Sequence, residues 1–208
     1  MATKSSGSIE LSRPERGILI VPIVGETPLI VHKWSEKALK QMRDKQFGKN
    51  VRPIREPKNP EEEAFASTYW MPDGRGAMPA VAFKAAMVGA CRLHEGLPMT
   101  MAKVALFVQG QGTDQLVPID GPYEMHEDTP RNDNGAPDLR YRNYFFPWST
   151  TLEIHYIKGK LNEASVISLV DSAGYGGVGD WRPSAPKSAT GSFGRFRIDE
   201  SKQIHVVK

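Results

Sequence analysis

Six glycines fall within residues 174–196, a stretch with the sequence GYGGVGDWRPSAPKSATGSFGRF. The stretch separates a segment with helical periodicity from a short segment that resembles a strand, so it predicts a long, shaped loop. Glycine accepts positive φ and allows the backbone to come close to a ligand. Two glycine clusters flanking Trp181-Arg182-Pro183 therefore predict exposed backbone amides suited to an anionic polymer. The alternative is a surface connector that binds nothing.

The same loop places cations beside aromatic rings. Arg182, Lys187 and Arg195 are close in sequence to Trp181 and Phe193. Guanidinium and ammonium groups hold phosphates, and flat rings stack on bases, so the combination favours a nucleic-acid contact. Trp181 has two candidate roles, which are stacking on a base and anchoring the loop in the core.

The order of predicted elements indicates the fold class. Apolar and β-branched patterns predict strands at 17–31, 104–109, 151–158 and 193–198. Apolar residues at helical spacing predict helices at 79–93 and 163–173. This β-α-β-β-α-β order is that of an α+β, ferredoxin-like (RRM-like) fold, in which both helices cover one face of an antiparallel sheet and the other face is free to bind. We expect residues 1–208 to form a single domain with large insertions at 33–78 and 110–148.

The net charge of +3 conceals a separation of charge along the chain. Residues 33–58 contain nine Lys/Arg and three Asp/Glu, whereas residues 114–138 contain seven Asp/Glu and one Arg. We therefore expect a basic first insertion and an acidic, thumb-like second insertion, whose local fields favour head-to-tail contacts between copies. An ordinary patchy surface is the alternative.

Two stretches resemble the RAMP superfamily (repeat-associated mysterious proteins) of CRISPR effector complexes, which is built on RRM-like modules. In MPAVAFKAAMVGACR, Pro79, Lys84 and Arg92 are placed as on the first helix of that family, with Ala85 where the family has glycine. The glycine-rich stretch resembles an expanded form of the family's loop before the last strand. The whole chain also resembles uncharacterised proteins of tailed-phage and prophage genomes.

The resemblance implies a non-enzymatic protein that binds single-stranded DNA or RNA and assembles head-to-tail along the strand as a helical filament. No cofactor is expected, and the five histidines show no pair at metal-ligand spacing, so no metal site is expected either. The residues predicted to contact nucleic acid are Lys33, Lys37, Lys40, Lys49, Arg52, Arg55, Lys84, Arg140, Arg142, Gly177, Gly179, Trp181, Arg182, Lys187 and Arg195.

Two other functions remain open from the sequence. The first is a phage structural or host-interaction protein, for which the acidic insertion and the Trp and Tyr side chains would form the contact surface. The second is a RAMP-type endoribonuclease with His32 as a weak catalytic candidate, since histidine serves as a general base near neutral pH. Lys33, Lys37 or Tyr69 would assist it.

The sequence also predicts a location. No run approaches the roughly 18 apolar residues of a membrane span, and residues 1–11 lack the apolar core of a secretory signal. We expect a cytoplasmic protein, in the host cytoplasm if it is phage-encoded. The single cysteine, Cys91, lies in an apolar helical pattern and is interpreted as a small core residue.

Overall fold

The fold is that of a computed structural model, which describes residues 11–34, 36–48, 59–129, 135, 137–186 and 189–207, without the side chains of Lys37 and Ala38. The helices are α1 (Glu36–Gln46), α2 (Pro60–Ala66), α3 (Ala80–Ala90), α4 (Met99–Ala105) and α5 (Glu163–Gly176), with a 3-10 turn at Cys91–Leu93. The strands are β1 (Arg16–Gly25), β2 (Leu29–Ile30), β3 (Tyr69–Trp70), β4 (Gly76–Pro79), β5 (Leu106–Gln109), β6 (Leu116–Ile119), β7 (Tyr123–Asp128), β8 (Arg140–Phe145), β9 (Ser149–Ile157), β10 (Phe196–Ile198) and β11 (His205–Val207).

The central sheet has the order β10-β1-β9-β5, and β11 also pairs with β1. Every one of these pairings is antiparallel. The four core strands follow one another along the chain as β1, β5, β9 and β10, so their order across the sheet is fourth, first, third, second. The helix α3 follows the first of these strands, and α5 follows the third. The ferredoxin-like α+β fold predicted from the sequence is therefore confirmed.

The burial of alternate residues along β1 shows which face of the sheet is covered by the core. Leu19, Val21 and Ile23 are completely buried and belong to the main core, and they lie opposite buried residues of β9 such as Leu152 and Ile154. Side chains two apart in a strand share a face, so a single register places all of them under the helices. The helices α3 and α5 pack against each other over this face.

Pro22 explains why the outer edge of β1 is shared by β10 and β11. β10 pairs with Ile23–Gly25 and β11 with Ile18–Ile20, so the gap falls at Val21 and Pro22. The Pro22 carbonyl accepts a hydrogen bond from the Asp199 amide at 3.0 Å, which shows that its backbone groups face this edge. Proline has no backbone N–H to donate at this edge. A single strand paired along the whole edge would therefore have one carbonyl group without a hydrogen-bond donor.

The segments between the core elements add two small sheets among the described residues, with the orders β2-β8-β7 and β3-β4-β6. Phe145, at the end of β8, is completely buried and belongs to the same core as β1 and β9. The indole nitrogen of the buried Trp148 donates to the Thr27 carbonyl at 2.9 Å. These contacts fix β8 and the start of β9 beside the β1–β2 connection.

Several boundaries differ from the sequence prediction, and packing explains two of these differences. The strand predicted from Val104 begins only at Leu106, because α4 continues to Ala105 and buries Ala102 and Ala105 on one helical face. The second core helix, predicted to end at Gly174, continues to Gly176, and Gly177 follows with φ +66°. Gly174 is instead a packing position, since a Cβ there would overlap the Phe196 carbonyl.

No helix in the described ranges combines the length and the apolar character needed to cross a lipid bilayer.

Candidate functional site

A cleft of about 620 Å³ opens between α3, the C-terminal turn of α5 and the loop that follows α5. Its walls include small side chains of α3, among them Ala82 and Ala86, and its floor includes the buried Met78 and Val178. Small residues at helical spacing keep the space between α3 and the loop open. The charged or titratable residues that line it are His32, Arg92, Asp180 and Arg182.

Asp180 links the loop to two distant parts of the chain. Its Oδ2 accepts a hydrogen bond from His32 Nδ1 at 3.0 Å and lies 2.9 Å from Arg142 Nη1. Its backbone amide donates to the Ile30 carbonyl at 3.0 Å, which ties the loop to the end of β2. The network holds the His32 ring at the cleft.

Arg142 supports this network from inside the protein. Arg142 is only 2% exposed. Its Nη1 lies at ion-pair distance from Asp180, but the geometry of this contact is not that of a hydrogen bond. An arginine this buried is not available to a phosphate, so we leave Arg142 out of the contact surface. It is a positioning residue for Asp180.

The pKa of Asp180 shows how its charge is balanced. Burial raises the pKa, but the hydrogen bond from His32 and the positive charges of Arg142 and Arg140 outweigh it, so the pKa lies below its ordinary value. The carboxylate is therefore ionised at neutral pH and neutralises Arg142. Among the described lining residues it is the only acid, so Arg92 and Arg182 determine the sign of the field in the cleft.

Arg182 is held in place by its own loop. Its Nη1 donates to the Gly179 carbonyl at 2.8 Å, and the residue is half-buried. This bond uses one of the five N–H donors of the guanidinium group. Arg92 lies in the 3-10 turn after α3 and is exposed. The cleft is thus lined by two guanidinium groups. That of Arg182 is oriented by a hydrogen bond, and Arg92 is exposed.

The glycines of the loop serve backbone packing, which corrects the prediction of exposed amides. The Val178 amide donates to the Gly194 carbonyl at 3.0 Å, and the Gly194 amide donates to the Pro28 carbonyl at 2.8 Å. The amide of Gly177 donates to the Ala173 carbonyl, and a Cβ at Gly179 would overlap the Ile30 carbonyl. Gly177 and Gly179 are both buried. Glycine is needed here because two backbone segments approach within van der Waals distance.

The aromatic residues of this region differ in their exposure and in their contacts. Trp181 is half-buried and has φ +58°, an unusual conformation for a bulky residue. Its carbonyl accepts from the Phe193 amide at 3.1 Å. Tyr175 lines the cleft and is 62% exposed, so its ring is largely accessible from solvent. Arg195 lies 6.0 Å from the Tyr175 ring centre, while its Nη2 pairs with Glu26 at 2.9 Å.

The other predicted cations are spread over several elements. The Lys33 amide donates to the Ser67 carbonyl, and its Nζ lies 5.7 Å from the centre of the Tyr69 ring. Lys84 covers the Phe107 ring at 4.3 Å. Arg140 pairs with Asp138 at 2.8 Å. Lys40 is exposed on α1, and Lys37 belongs to the same helix, although its side chain is not described. Lys49, Arg52, Arg55 and Lys187 lie outside the described residues.

The two middle rows of side chains on the open face of the central sheet carry little charge. One row of side chains across it is Val207, Ile18, His155 and Phe107, and the next is His205, Ile20, Glu153 and Gln109. In these described rows, Glu153 is the only acid and pairs with His155 at 2.7 Å, and there is no lysine or arginine. Arg16 and Arg197 lie on the same face in the outer rows and are exposed, so the expectation that this face binds stays a prediction.

The sequence analysis missed three groups of the cleft. Asp180 stands between Gly179 and Trp181, and an acid inside a loop rich in cations was the available signal. Tyr175 follows an apolar helical face directly. Ser172 lines the cleft and its Oγ lies 2.9 Å from His94 Nε2, a contact for which the sequence offers no local signal.

No protein-family model matches the chain, and no curated protein matches it. Among solved structures, the chain is similar to a chain in the cryo-EM structure of the Type III-B Cmr-beta complex bound to cognate target RNA, with 14% identity and a TM-score of 0.48. The match covers 93% of this chain and 61% of the other, so this chain spans less than two thirds of the length of its neighbour. The fold assignment rests on the strand order of the central sheet.

Proposed function

We propose that the protein binds single-stranded nucleic acid in the cleft between α3 and the loop after α5, without catalysing a reaction on it. The observation that carries this proposal is that Arg92, Arg182 and the exposed ring of Tyr175 line one cleft. Positive charge in a concave, weakly polar site attracts phosphates, and an exposed ring stacks on an unpaired base.

The surface beside His32 extends the proposed path. Trp34 is 54% exposed, and its ring centre lies 5.7 Å from that of His32, which lines the cleft. Lys33 stands between them in sequence. A second exposed ring beside the cleft favours a strand that continues out of it, rather than a small anion held inside.

Assembly along the strand belongs to the same proposal. Glu124 and Glu127 are exposed on β7, whereas Lys40, Arg43 and Lys45 are exposed on α1. Opposite charges on separate elements of one chain favour a heterologous contact, and such a contact forms a helix when it does not close. The protein would then be a single-domain, stand-alone relative of the RAMP superfamily that forms cytoplasmic filaments on DNA or RNA, including in a phage-infected cell.

The test is a binding titration with labelled single strands of about 16 nucleotides, the upper end of the site sizes known for single-strand binding domains. Arg92→Ala and Arg182→Ala are each expected to weaken binding by about 1–3 kcal/mol. Lys160→Ala is the matched control, because this exposed lysine lies before the opposite end of α5, roughly 20 Å from the cleft. Equal affinity of all three variants and the parent protein would contradict the proposal.

A second candidate function is supported by the His32–Asp180 pair. The carboxylate accepts from Nδ1, so Nε2 is the nitrogen left to act as a base at the cleft. In an RNA strand, this nitrogen would take the proton of a 2′-hydroxyl as the 2′-oxygen bonds to the adjacent phosphorus. The bond from phosphorus to the 5′-oxygen of the next nucleotide breaks, and this oxygen takes a proton from water, which is the chemistry of an endoribonuclease. Cleavage of RNA but not DNA by the purified protein, lost in His32→Ala, would favour this function over binding alone.

A further inference from the structure

We propose that the cleft is a subsite for one base of the bound strand, extruded from its neighbours, with the flanking phosphates at Arg92 and Arg182. This inference rests on the proposed function and adds the part of the nucleic acid that the cleft receives. The alternative within that function is a strand held along the surface by its phosphates alone.

The size and walls of the cleft suit a base. Its volume of about 620 Å³ lies within the range of about 300–1,000 Å³ that is typical of small-molecule pockets. Phosphate contacts need no such cavity, because they form at an exposed surface. The described walls are mostly apolar or small, with Met78, Met99 and Val178 among them. A flat, weakly polar ring system is the part of a nucleotide that gains from such walls.

Gly89 shows that the space is not needed by the fold. It lies inside α3 and lines the cleft, and a Cβ built on it meets no atom within 4 Å. Glycine inside a helix is less favourable than alanine by roughly 0.5–1 kcal/mol. Packing within the described chain therefore does not explain this glycine, whereas an external group that comes close to the α3 backbone does.

The polar groups of the cleft stand where a nucleotide would need them. The Ser172 hydroxyl, which is 2.9 Å from His94 Nε2, is able to donate to or accept from a base edge. Tyr175 offers a ring face, and the two arginines belong to different segments, the 3-10 turn after α3 and the loop after α5. Arg182 is already oriented by the Gly179 carbonyl, so little of its rotamer freedom is lost on binding.

The test uses the shortest single strand that retains full affinity, so that only one register is available, and a series in which each base in turn is removed to give an abasic sugar. One position is expected to lose about 5- to 150-fold in affinity, the usual range for a stacked base, while the other positions change little. An even effect along the strand, or none, would overturn the base subsite while binding of the intact strand would still support the proposed function. Failure of every strand to bind would refute both.

Blocking variants connect the effect to the cleft. Gly89→Leu fills the open space, and Ala85→Leu, at an exposed position on the same wall, serves as a second block. Each is expected to weaken the intact strand and to abolish the difference between the intact strand and the sensitive abasic strand. Val81→Leu is the control, because Val81 is 68% exposed on α3 outside the cleft. Persistence of the abasic effect in both blocked variants would overturn the inference, and so would a free mononucleotide that binds as tightly as the strand.

Discussion

Arg142 Nη1 and Asp180 Oδ2 lie 2.9 Å apart, although Arg142 belongs to β8 and Asp180 to the loop after α5. The pair joins the second insertion to the wall of the cleft. Because Arg142 is buried, its charge depends on Asp180 for compensation. The stability of the fold and the shape of the cleft are therefore coupled at this contact.

Replacement of Asp180 by asparagine is expected to destabilise the protein. The change keeps the size of the side chain but leaves the Arg142 charge buried and unpaired. We expect a loss of about 2–4 kcal/mol in the free energy of unfolding, below the value for a fully buried pair because the Asp180 side chain is 34% exposed. Chemical denaturation measures it. In Asp180→Asn/Arg142→Met the loss should be smaller than the sum of the single losses, and additive losses would contradict the pairing.

The same contact predicts a dependence of stability on pH. The pKa of Asp180 lies below its ordinary value of 3.8 in the folded protein. A carboxyl group whose pKa is lower in the folded state stabilises the folded protein at pH values above its ordinary pKa. This stabilisation is lost as the pH falls through the pKa of the folded state. We expect the stability difference between the parent protein and Asp180→Asn to narrow in this acidic range, as measured by urea unfolding at several pH values. A difference that stays constant would contradict the shift.

Gly194 and Gly159 form a matched pair for the glycine loop. Both have positive φ, at +66° and +80°, so alanine at either position costs roughly 1–2 kcal/mol in backbone strain. A Cβ at Gly194 would also overlap the Val178 carbonyl, whereas at Gly159 it meets nothing within 4 Å. Gly194→Ala should therefore lower the thermal midpoint clearly more than Gly159→Ala. Equal midpoints would show that the loop relaxes easily.

Salt dependence distinguishes the oriented arginine from the lysines of the first insertion. With about four to six phosphate contacts on a single strand, the slope of log affinity against log salt concentration should be near −3 to −4. Arg182→Ala should cost more affinity than Lys49→Ala, because Arg182 is prepositioned by the Gly179 carbonyl. Lys49→Ala should mainly reduce the slope. Titrations at several salt concentrations decide this, and equal small losses would mean that the loop is only a connector.

Charge reversal on β7 tests the proposed assembly. Glu124→Lys should weaken filament formation on a strand, seen as slower sedimentation, without a change in the thermal midpoint, because Glu124 is exposed. Glu127 is left unchanged because its carboxylate interacts with the Tyr141 hydroxyl. Asp128 is unsuitable for this test, since it accepts hydrogen bonds from the Tyr144 hydroxyl at 2.8 and 2.9 Å. Replacement of Lys160 by glutamate, away from β7, is the control. Unchanged sedimentation of the β7 variant would exclude this surface from assembly.

The fold of the core could be predicted from the sequence because it depends on local patterns. Alternation in β1 and β9 and the cap of α5, where the Asn162 side chain accepts from the Ser165 amide at 2.8 Å, are readable within a few residues. These patterns predicted the element order, and the order restricts the possible sheets to a few.

The cleft was less predictable because its main contacts join residues far apart in sequence. Neither the pairing of Asp180 with Arg142 nor its hydrogen bond from His32 has a local pattern. The glycines were predictable as a special backbone, but composition does not distinguish a loop that presents amides to a ligand from one that packs its backbone against β2. The hydrogen bond from the Asp180 amide to Ile30 decides between these possibilities.

The divided edge of β1 has a consequence for folding during synthesis. β1 leaves the ribosome before β10 and β11, which cover its outer edge on either side of Pro22 and are the last described strands to be made. Until then, an apolar strand has one edge without a partner, which is the kind of edge that pairs with other chains. Pro22 interrupts the row of backbone donors on that edge. We therefore expect the residue that divides the finished sheet also to disfavour pairing of this edge with other chains during synthesis.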